Sequence, residues 1–262
     1  MVLISIDTLR ADHLATYGYE RVTGPEIDRF AEEALVFERA FAQAPTTLPS
    51  HMSIFTGLYP SRHGTVKSTG RLPDSTITLA DVLHNAGYTT AAFTGGGFVR
   101  EKFNYHTFDH FQHKEFFDIY EAEFQQLEEM LDWVERHQDG PFFLFWHTYK
   151  VHSPYSPEED YDRFTSADYT GIINPRPEDA APVCTGVEKA RQCNWKGKPY
   201  YDLMLDRMGP EDIQHVIDNY DGEILAVDEM FSRLMAKLES EGLTEDTVIV
   251  FLSDHGETFA ER

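Results

Sequence analysis

Cysteine is scarce in this sequence, which has only Cys184 and Cys193 among its 262 residues. The two are not arranged as the CxxC pairs that are typical of redox and zinc sites. Their spacing suits a small disulfide within a loop, which would indicate an oxidising compartment. Two free thiols in a loop are the alternative, and both interpretations stay open here.

Long hydrophobic runs are also absent. No stretch reaches the roughly 18 apolar residues that a membrane-spanning helix requires. Met1 leads directly into a predicted strand rather than into a charged and apolar export signal. The sequence therefore predicts no membrane span and shows no signal peptide.

Basic residues are few relative to acidic ones. The sequence has 22 Lys and Arg against 45 Asp and Glu, for a formal charge of −23. Such a charge repels polyanions, so we expect no nucleic-acid binding through a general basic surface. The hydrophobic fraction of 41% is sufficient for the core of one large α/β domain.

Two buried strands deliver metal-ligand side chains. The run Val2–Ile6 ends on Asp7, and the run Val248–Leu252 is followed by Asp254 and His255. In open α/β sheets, ligands bind at the carboxyl ends of the strands, so these side chains can converge. Oxygen and imidazole ligands suit Ca²⁺, Mg²⁺, Mn²⁺ or Zn²⁺, and the histidine favours manganese or zinc.

A third buried strand, Phe142–Trp146, leads into His147, Lys150 and His152. A histidine after a buried strand is more often a core or loop residue than a ligand. Two histidines and a lysine at the predicted edge of the sheet favour a functional role instead. Arg10, close to the first strand, could contact a ligand, although a structural ion pair is the commoner role for such an arginine.

The segment PTTLPSHMSIFTGLYPSRHG predicts a short buried helix that begins near Thr47 and ends at Gly57. A hydroxyl at a helix N-terminus lies beside unpaired N–H groups and the positive end of the helix dipole, which together can bind a tetrahedral oxyanion. Thr47 could also be an ordinary N-cap. The glycines Gly95, Gly96 and Gly97 follow another predicted strand and could likewise approach a bound anion.

Helical spacing predicts further helices between these strands. The alternation predicts a doubly wound α/β fold with a mostly parallel sheet flanked by helices. One predicted helix starts at Pro25, and three others span residues 76–85, 115–138 and 210–242.

Four motifs, IDTLRADHL, TLPSH…TGLYPSRHG, HTYKVHSPY and SDHGE, together resemble the sulfatase family of the alkaline-phosphatase superfamily. The resemblance implies that residues 1–262 are a sulfatase-like N-terminal catalytic domain. The least family-like part is a variable insert at about 156–210, and its position and length suggest that it lines the mouth of the site and sets substrate choice. Members of this family usually continue well beyond SDHGE, so we expect the chain to be truncated at its C-terminus. The resemblance and the possible Cys184–Cys193 disulfide favour an extracytoplasmic location.

The positions of the candidate site residues at strand and helix ends predict their roles, and the role of His152 is also implied by the resemblance. The metal ligands would be Asp7, Thr47, Asp254 and His255. The catalytic residues would be Thr47, His152 and His147, and the substrate-binding residues Lys150, His152 and Arg10.

The sequence departs from the sulfatase pattern at three positions. Sulfatases carry Cys or Ser in a C/S-x-P-S-R motif, and that residue is oxidised to formylglycine; here the position is Thr47, so no formylglycine is expected. His51 occupies the arginine position, and Thr8 replaces the second early aspartate. A threonine nucleophile resembles the phosphodiesterases, phosphonate hydrolases and phosphoglycerol transferases of the superfamily.

We therefore predict a hydrolase, dependent on one divalent metal ion, that cleaves sulfate or phosphate-type esters through a covalent Thr47 intermediate. The alternatives are a phosphodiesterase, phosphonate hydrolase or phosphoglycerol transferase, and a binding module or inactive fragment without catalysis. The expected substrate is an anionic ester, either a small molecule or one linked to a glycan or lipid.

Overall fold

The computed structural model describes residues 1–67, 69–103, 107–114, 123–153, 155–173, 194–195, 198–199 and 208–261. Its centre is a parallel sheet of five strands, and a separate hairpin contains two very short strands. The strands are β1 (Val2–Ile6), β2 (Thr89–Thr94), β3 (His110–His113), β4 (Phe142–Thr148), β5 (Asn194–Trp195), β6 (Lys198–Pro199) and β7 (Ile249–Ser253).

Helices follow most of the sheet strands. The α-helices are α1 (Pro25–Glu33), α2 (Thr47–Thr56), α3 (Pro60–His63), α4 (Leu79–Asn85), α5 (Glu123–Arg136) and α6 (Pro210–Ser240). Short 3₁₀ helices occur at Ala11–His13, Ala15–Tyr17 and Glu101–Phe103.

The two faces of the sheet carry separate apolar cores. Successive strand residues point to opposite faces, so Ile4 packs with α1, α5 and α6, whereas Leu3 packs with Leu48 and Met52 of α2. Helices thus cover both faces of a parallel sheet, and the predicted doubly wound α/β fold is confirmed.

The order of the strands is β3–β2–β4–β1–β7, so β1 lies between β4 and β7. Ile6 pairs with Thr148 of β4 and with Ser253 of β7. The carboxyl ends of β1 and β7 are therefore level, and this register brings Asp7 and Asp254 to one edge of the sheet.

Some boundaries differ from the prediction. The third buried strand continues beyond Trp146 to Thr148, because His147 pairs with Ser5 of β1 on one side and with Thr94 of β2 on the other. His147 is thus part of the sheet rather than of the following turn. Helix α4 begins at Leu79 because Thr78 forms a capping box with Asp81.

Several predictions lie outside the described residues. These include residues 115–122 of the predicted long helix, both cysteines, and most of the insert at 156–210. Across the residues that are described, no helix combines the length and the hydropathy needed to cross a lipid bilayer.

Candidate functional site

The carboxyl ends of β1 and β7 bring together Asp7, Asp254 and His255, three of the residues that the sequence predicts as metal ligands. One ligand atom from each lies within 4.8 Å of the other two. His255 Nε2 is 3.9 Å from Asp7 Oδ1 and 3.4 Å from Asp254 Oδ2. Both carboxylates are buried. The convergence inferred from strand ends is therefore present.

The carboxylate oxygens that face this cluster are unsatisfied. Asp7 Oδ1 and Asp254 Oδ2 are buried without a hydrogen-bond partner among the described residues. By contrast, Asp254 Oδ1 accepts the backbone N–H groups of Thr8 at 3.2 Å and His255 at 2.8 Å. Two buried carboxylate oxygens facing each other are unfavourable without a compensating positive charge. Two carboxylates and an imidazole fit a divalent cation such as Mn²⁺, Zn²⁺ or Mg²⁺.

The tautomer of His255 suits the same role. Its Nδ1 lies 2.8 Å from the carbonyl oxygen of Gly256 and donates to it, so Nε2 directs its lone pair towards the two carboxylates. Burial opposes a charged imidazolium, but Asp254 and Asp7 outweigh burial and raise the pKa of His255. Burial and the neighbouring Asp7 raise the pKa of Asp254 as well. Both raised pKa values mean that the site favours the binding of protons, and it should favour other positive charges for the same reason.

Thr47 lies next to this cluster at the first position of α2. Its hydroxyl oxygen is 3.4 Å from His255 Nε2. The N-cap of α2 is Thr46, so the alternative that Thr47 is the cap is wrong. Ser50, one turn into the helix, donates to the carbonyl oxygen of Asp254 at 2.6 Å and ties α2 to the loop after β7.

Two histidines lie beneath the carboxylates. His147 is fully buried, and its Nε2 is 3.4 Å from Asp7 Oδ2. Burial lowers the pKa of His147 to about 3, so the ring is neutral. His51, which the sequence did not single out as a site residue, lies with its ring centroid 4.9 Å from that of His147. Its spacing of four residues from Thr47 on one helix face was the signal that could have identified it.

His152 lies in the loop after β4 and is half-buried. Its Nδ1 is 2.6 Å from the carbonyl oxygen of Ser153 and donates to it, so Nε2 is the nitrogen that can exchange a proton. The ring packs edge-on against Tyr149, which in turn packs edge-on against His147. His152 is thus connected to the cluster through two aromatic rings, those of Tyr149 and His147.

Lys150 and Arg10 have other partners. The Lys150 ammonium is buried, 2.7 Å from both carboxylate oxygens of Glu158 and 3.1 Å from Glu223. Arg10 forms ion pairs with Asp12 at 2.8 Å and Glu261 at 2.5 Å. The structure therefore does not bring either cation to the carboxylate cluster, and their contact with substrate stays a prediction.

Thr8, which follows Asp7, has a backbone φ of +59°. This left-handed conformation is strained for a β-branched residue, at about 1–3 kcal/mol. The turn is held by the Thr8 hydroxyl, which lies 2.8 Å from the carbonyl oxygen of Val151, and by Tyr220, which donates to the Thr8 carbonyl. The strain is located where the chain must direct Asp7 towards Asp254.

The glycines after β2 have a structural explanation. A Cβ at Gly97 would lie 2.7 Å from the Tyr149 hydroxyl, and a Cβ at Gly96 would collide with the carbonyl oxygen of Lys114. These glycines therefore accommodate a tyrosine and a neighbouring backbone, which accounts for them without the bound anion suggested by the sequence.

Comparison with known proteins agrees with this architecture. The Sulfatase family model matches residues 1–262. The ulvan-active sulfatase of Formosa agariphila is 25% identical over 273 residues, which cover 98% of this chain and 50% of that protein. This chain spans about half the length of the relatives it matches.

Solved structures show the same fold. A phosphonate monoester hydrolase of Agrobacterium radiobacter gives a TM-score of 0.78 at 22% identity, covering 99% of this chain and 63% of that one. A protein solved with its substrate D-glucosamine-2-N,6-O-disulfate gives a TM-score of 0.77 at 20% identity, covering 100% of this chain and 66% of the other.

Proposed function

The protein belongs to the sulfatase family, and from this membership and its site we propose that it is a metal-dependent hydrolase of sulfate or phosphate-type esters with Thr47 as nucleophile. The observation that carries the proposal is the position of the Thr47 hydroxyl, 3.4 Å from His255 Nε2. That nitrogen lies beside two unsatisfied carboxylate oxygens.

Asp7, Asp254, His255 and the Thr47 hydroxyl would hold the metal ion. A bound divalent ion would lower the pKa of the hydroxyl and polarise an ester oxygen. No formylglycine is involved, because oxidation of a threonine would give a ketone rather than an aldehyde.

In the proposed reaction, Thr47 loses its proton to solvent and its oxygen forms a bond to sulfur or phosphorus while the bond to the leaving alcohol breaks. His152 donates a proton to the departing alkoxide. Water then attacks the Thr47 ester, which releases the acid and restores the hydroxyl. His147 orients Asp7 from beneath.

A phosphodiester or phosphonate ester is the alternative substrate to a sulfate ester. It is favoured by threonine at the position where formylglycine sulfatases carry cysteine or serine. The fold shared with a phosphonate monoester hydrolase is consistent with it.

We also propose that residues 1–262 form the catalytic domain and that the insert at 156–210 contributes to substrate choice. The ester would be carried by a small molecule, a glycan or a lipid. An extracytoplasmic location is part of the same proposal.

The test is turnover of matched p-nitrophenyl esters, namely sulfate, phosphate monoester, phosphodiester and phosphonate, by Mn²⁺-loaded protein. We expect Thr47→Ala to abolish turnover and Thr47→Ser to retain part of it. Thr46→Ala is the matched control, since this exposed neighbour forms no side-chain capping bond among the described residues. Full turnover by Thr47→Ala would refute the mechanism, and the preferred ester decides between the two substrate classes.

A further inference from the structure

A buried polar pair joins β1 to α2 beneath the proposed nucleophile. Ser5 Oγ and His51 Nε2 are 3.0 Å apart, and both side chains are fully buried. Ser5 interrupts the otherwise apolar strand Val2–Ile6. A buried hydroxyl is unfavourable unless it is hydrogen-bonded, so His51 provides the partner that makes Ser5 tolerable in this strand.

The hydrogen bonds fix the protonation state of His51. Its Nδ1 lies 2.9 Å from the carbonyl oxygen of Thr47, which can only accept, so Nδ1 carries the proton. Nε2 consequently accepts the hydrogen of the Ser5 hydroxyl. Burial lowers the pKa of His51 to about 4, which is consistent with a neutral ring.

His51 contacts three segments that contribute to the site. It bonds to β1 through Ser5 and to the first turn of α2 through the Thr47 carbonyl. Its Nδ1 is also 3.5 Å from Asp254 Oδ2, the unsatisfied oxygen of the carboxylate after β7. Ser5 lies two residues before Asp7, which directly follows β1.

We propose that His51, held by Ser5, is a positioning residue that fixes the Thr47 hydroxyl relative to Asp254. The inference rests on the proposed function, and neither residue needs to touch the ester.

The chain contains a matched control pair, which joins α2 to α3. Ser53 Oγ is 3.1 Å from His63 Nε2, and both residues are buried. Ser53 also donates to the carbonyl oxygen of Pro49. Ser53→Ala thus removes a comparable buried serine–histidine bond from α2 without removing a contact to Thr47 or Asp254.

The test compares Ser5→Ala with Ser53→Ala in the full chain, using Mn²⁺ titration, thermal melting and turnover of the preferred p-nitrophenyl ester. For Ser5→Ala we expect Mn²⁺ affinity or kcat at saturating Mn²⁺ to fall about tenfold or more, as for other groups that support metal ligands. KM should stay close to that of the wild type. Ser53→Ala should lower the melting temperature similarly but leave Mn²⁺ affinity and kcat unchanged.

A rescue series separates positioning from packing. His51→Asn retains an amide N–H that can reach the Thr47 carbonyl, whereas His51→Leu does not, so the asparagine variant should keep several-fold more turnover. Equal effects of Ser5→Ala and Ser53→Ala on Mn²⁺ affinity and kcat would overturn the proposal. Should Ser5→Ala fail to fold, equal turnover by His51→Asn and His51→Leu would overturn it instead.

The two proposals fail in different ways. Turnover by Thr47→Ala would refute the proposed function whatever Ser5→Ala does. If the wild type turns over no ester, the difference in Mn²⁺ affinity between Ser5→Ala and Ser53→Ala decides whether the pair positions Asp254.

Discussion

Single side chains decide whether the edge of the sheet can serve as a metal site. Asp254 uses one oxygen to accept two backbone N–H groups and leaves the other facing Asp7. His255 donates Nδ1 to a backbone carbonyl and leaves Nε2 facing both carboxylates. Backbone groups thus orient both Asp254 and His255, which would hold these two side chains ready for the proposed metal ion.

Lys150 provides a prediction at the residue scale. Lys150→Met should lower the free energy of unfolding by about 3–5 kcal/mol, because it leaves buried Glu223 without its cation. Chemical denaturation measures this change. Arg10→Met, which breaks an ion pair with the exposed side chain of Asp12, should cost about 1 kcal/mol or less.

The same variants test the predicted contact with substrate. We expect the KM of Lys150→Met to be unchanged at temperatures where the variant is folded. A large increase in KM with little loss of stability would instead place the ammonium group at the ester.

Most of the proposed metal site could be predicted from the sequence, and the reason is local. Asp7, Asp254 and His255 directly follow apolar strands, and parallel strands align their carboxyl ends. The Ser5–His51 hydrogen bond could not be predicted in the same way. A serine in a strand and a histidine in a helix become partners only when the two elements pack together. The partners of Lys150 depend on Glu223, which lies in a distant helix.

A buried carboxyl group joins the start of α5 to the end of β4. Glu123 at the start of α5 accepts a hydrogen bond from Thr148 at the end of β4, and it is buried. Burial raises the pKa of Glu123 from 4.5 to about 7. The folded protein therefore binds more protons than the unfolded chain between these two values.

This shift predicts a pH dependence of stability. The stabilisation by protonated Glu123 is fully present below pH 4.5 and is lost as the pH rises through about 7. The contribution to the free energy of unfolding should fall by up to about 1.4 kcal/mol per pH unit in this interval. Glu123→Gln should flatten the curve measured on metal-free protein by denaturation.

Asp132→Asn is the control, because Asp132 is exposed on the same helix. Its curve should match that of the wild type. A Glu123→Gln curve with the wild-type slope would show that this carboxyl does not titrate in the stated interval.

Element boundaries were harder to predict than the elements themselves. The strand that ends in His147 is longer than its apolar run, because pairing on both sides extends it past the last apolar residue. Helix α6 was predicted closely, since its apolar spacing continues from Pro210 to the turn at Gly242. Apolar periodicity defines what is buried, whereas pairing and caps define where an element ends.

At the scale of the whole molecule, the proposed metal site would couple metal binding to stability. Mn²⁺ at about one hundred times its dissociation constant should add about 2.7 kcal/mol to the free energy of unfolding. Thermal melting with and without Mn²⁺ measures this effect. Asp254→Asn should lose most of the increase, whereas Asp246→Asn, an exposed aspartate just before the other end of β7, should keep it.

The stability of Asp254→Asn without metal can also be predicted. Because burial and Asp7 raise the pKa of Asp254, Asp254→Asn without metal should be at least as stable as the metal-free wild type near neutral pH. An equal Mn²⁺ response from Asp254→Asn and the wild type would exclude Asp254 as a ligand.

The most direct test of the central proposal is detection of the covalent ester on Thr47. Wild-type protein is mixed with its preferred p-nitrophenyl ester, quenched within one turnover, digested and analysed by mass spectrometry. We predict a sulfate or phosphoryl adduct on the peptide that contains Thr47, together with a burst of p-nitrophenol equal to the enzyme concentration, and neither in Thr47→Ala. An adduct on a residue other than Thr47, or an adduct and burst that persist in Thr47→Ala, would contradict the account.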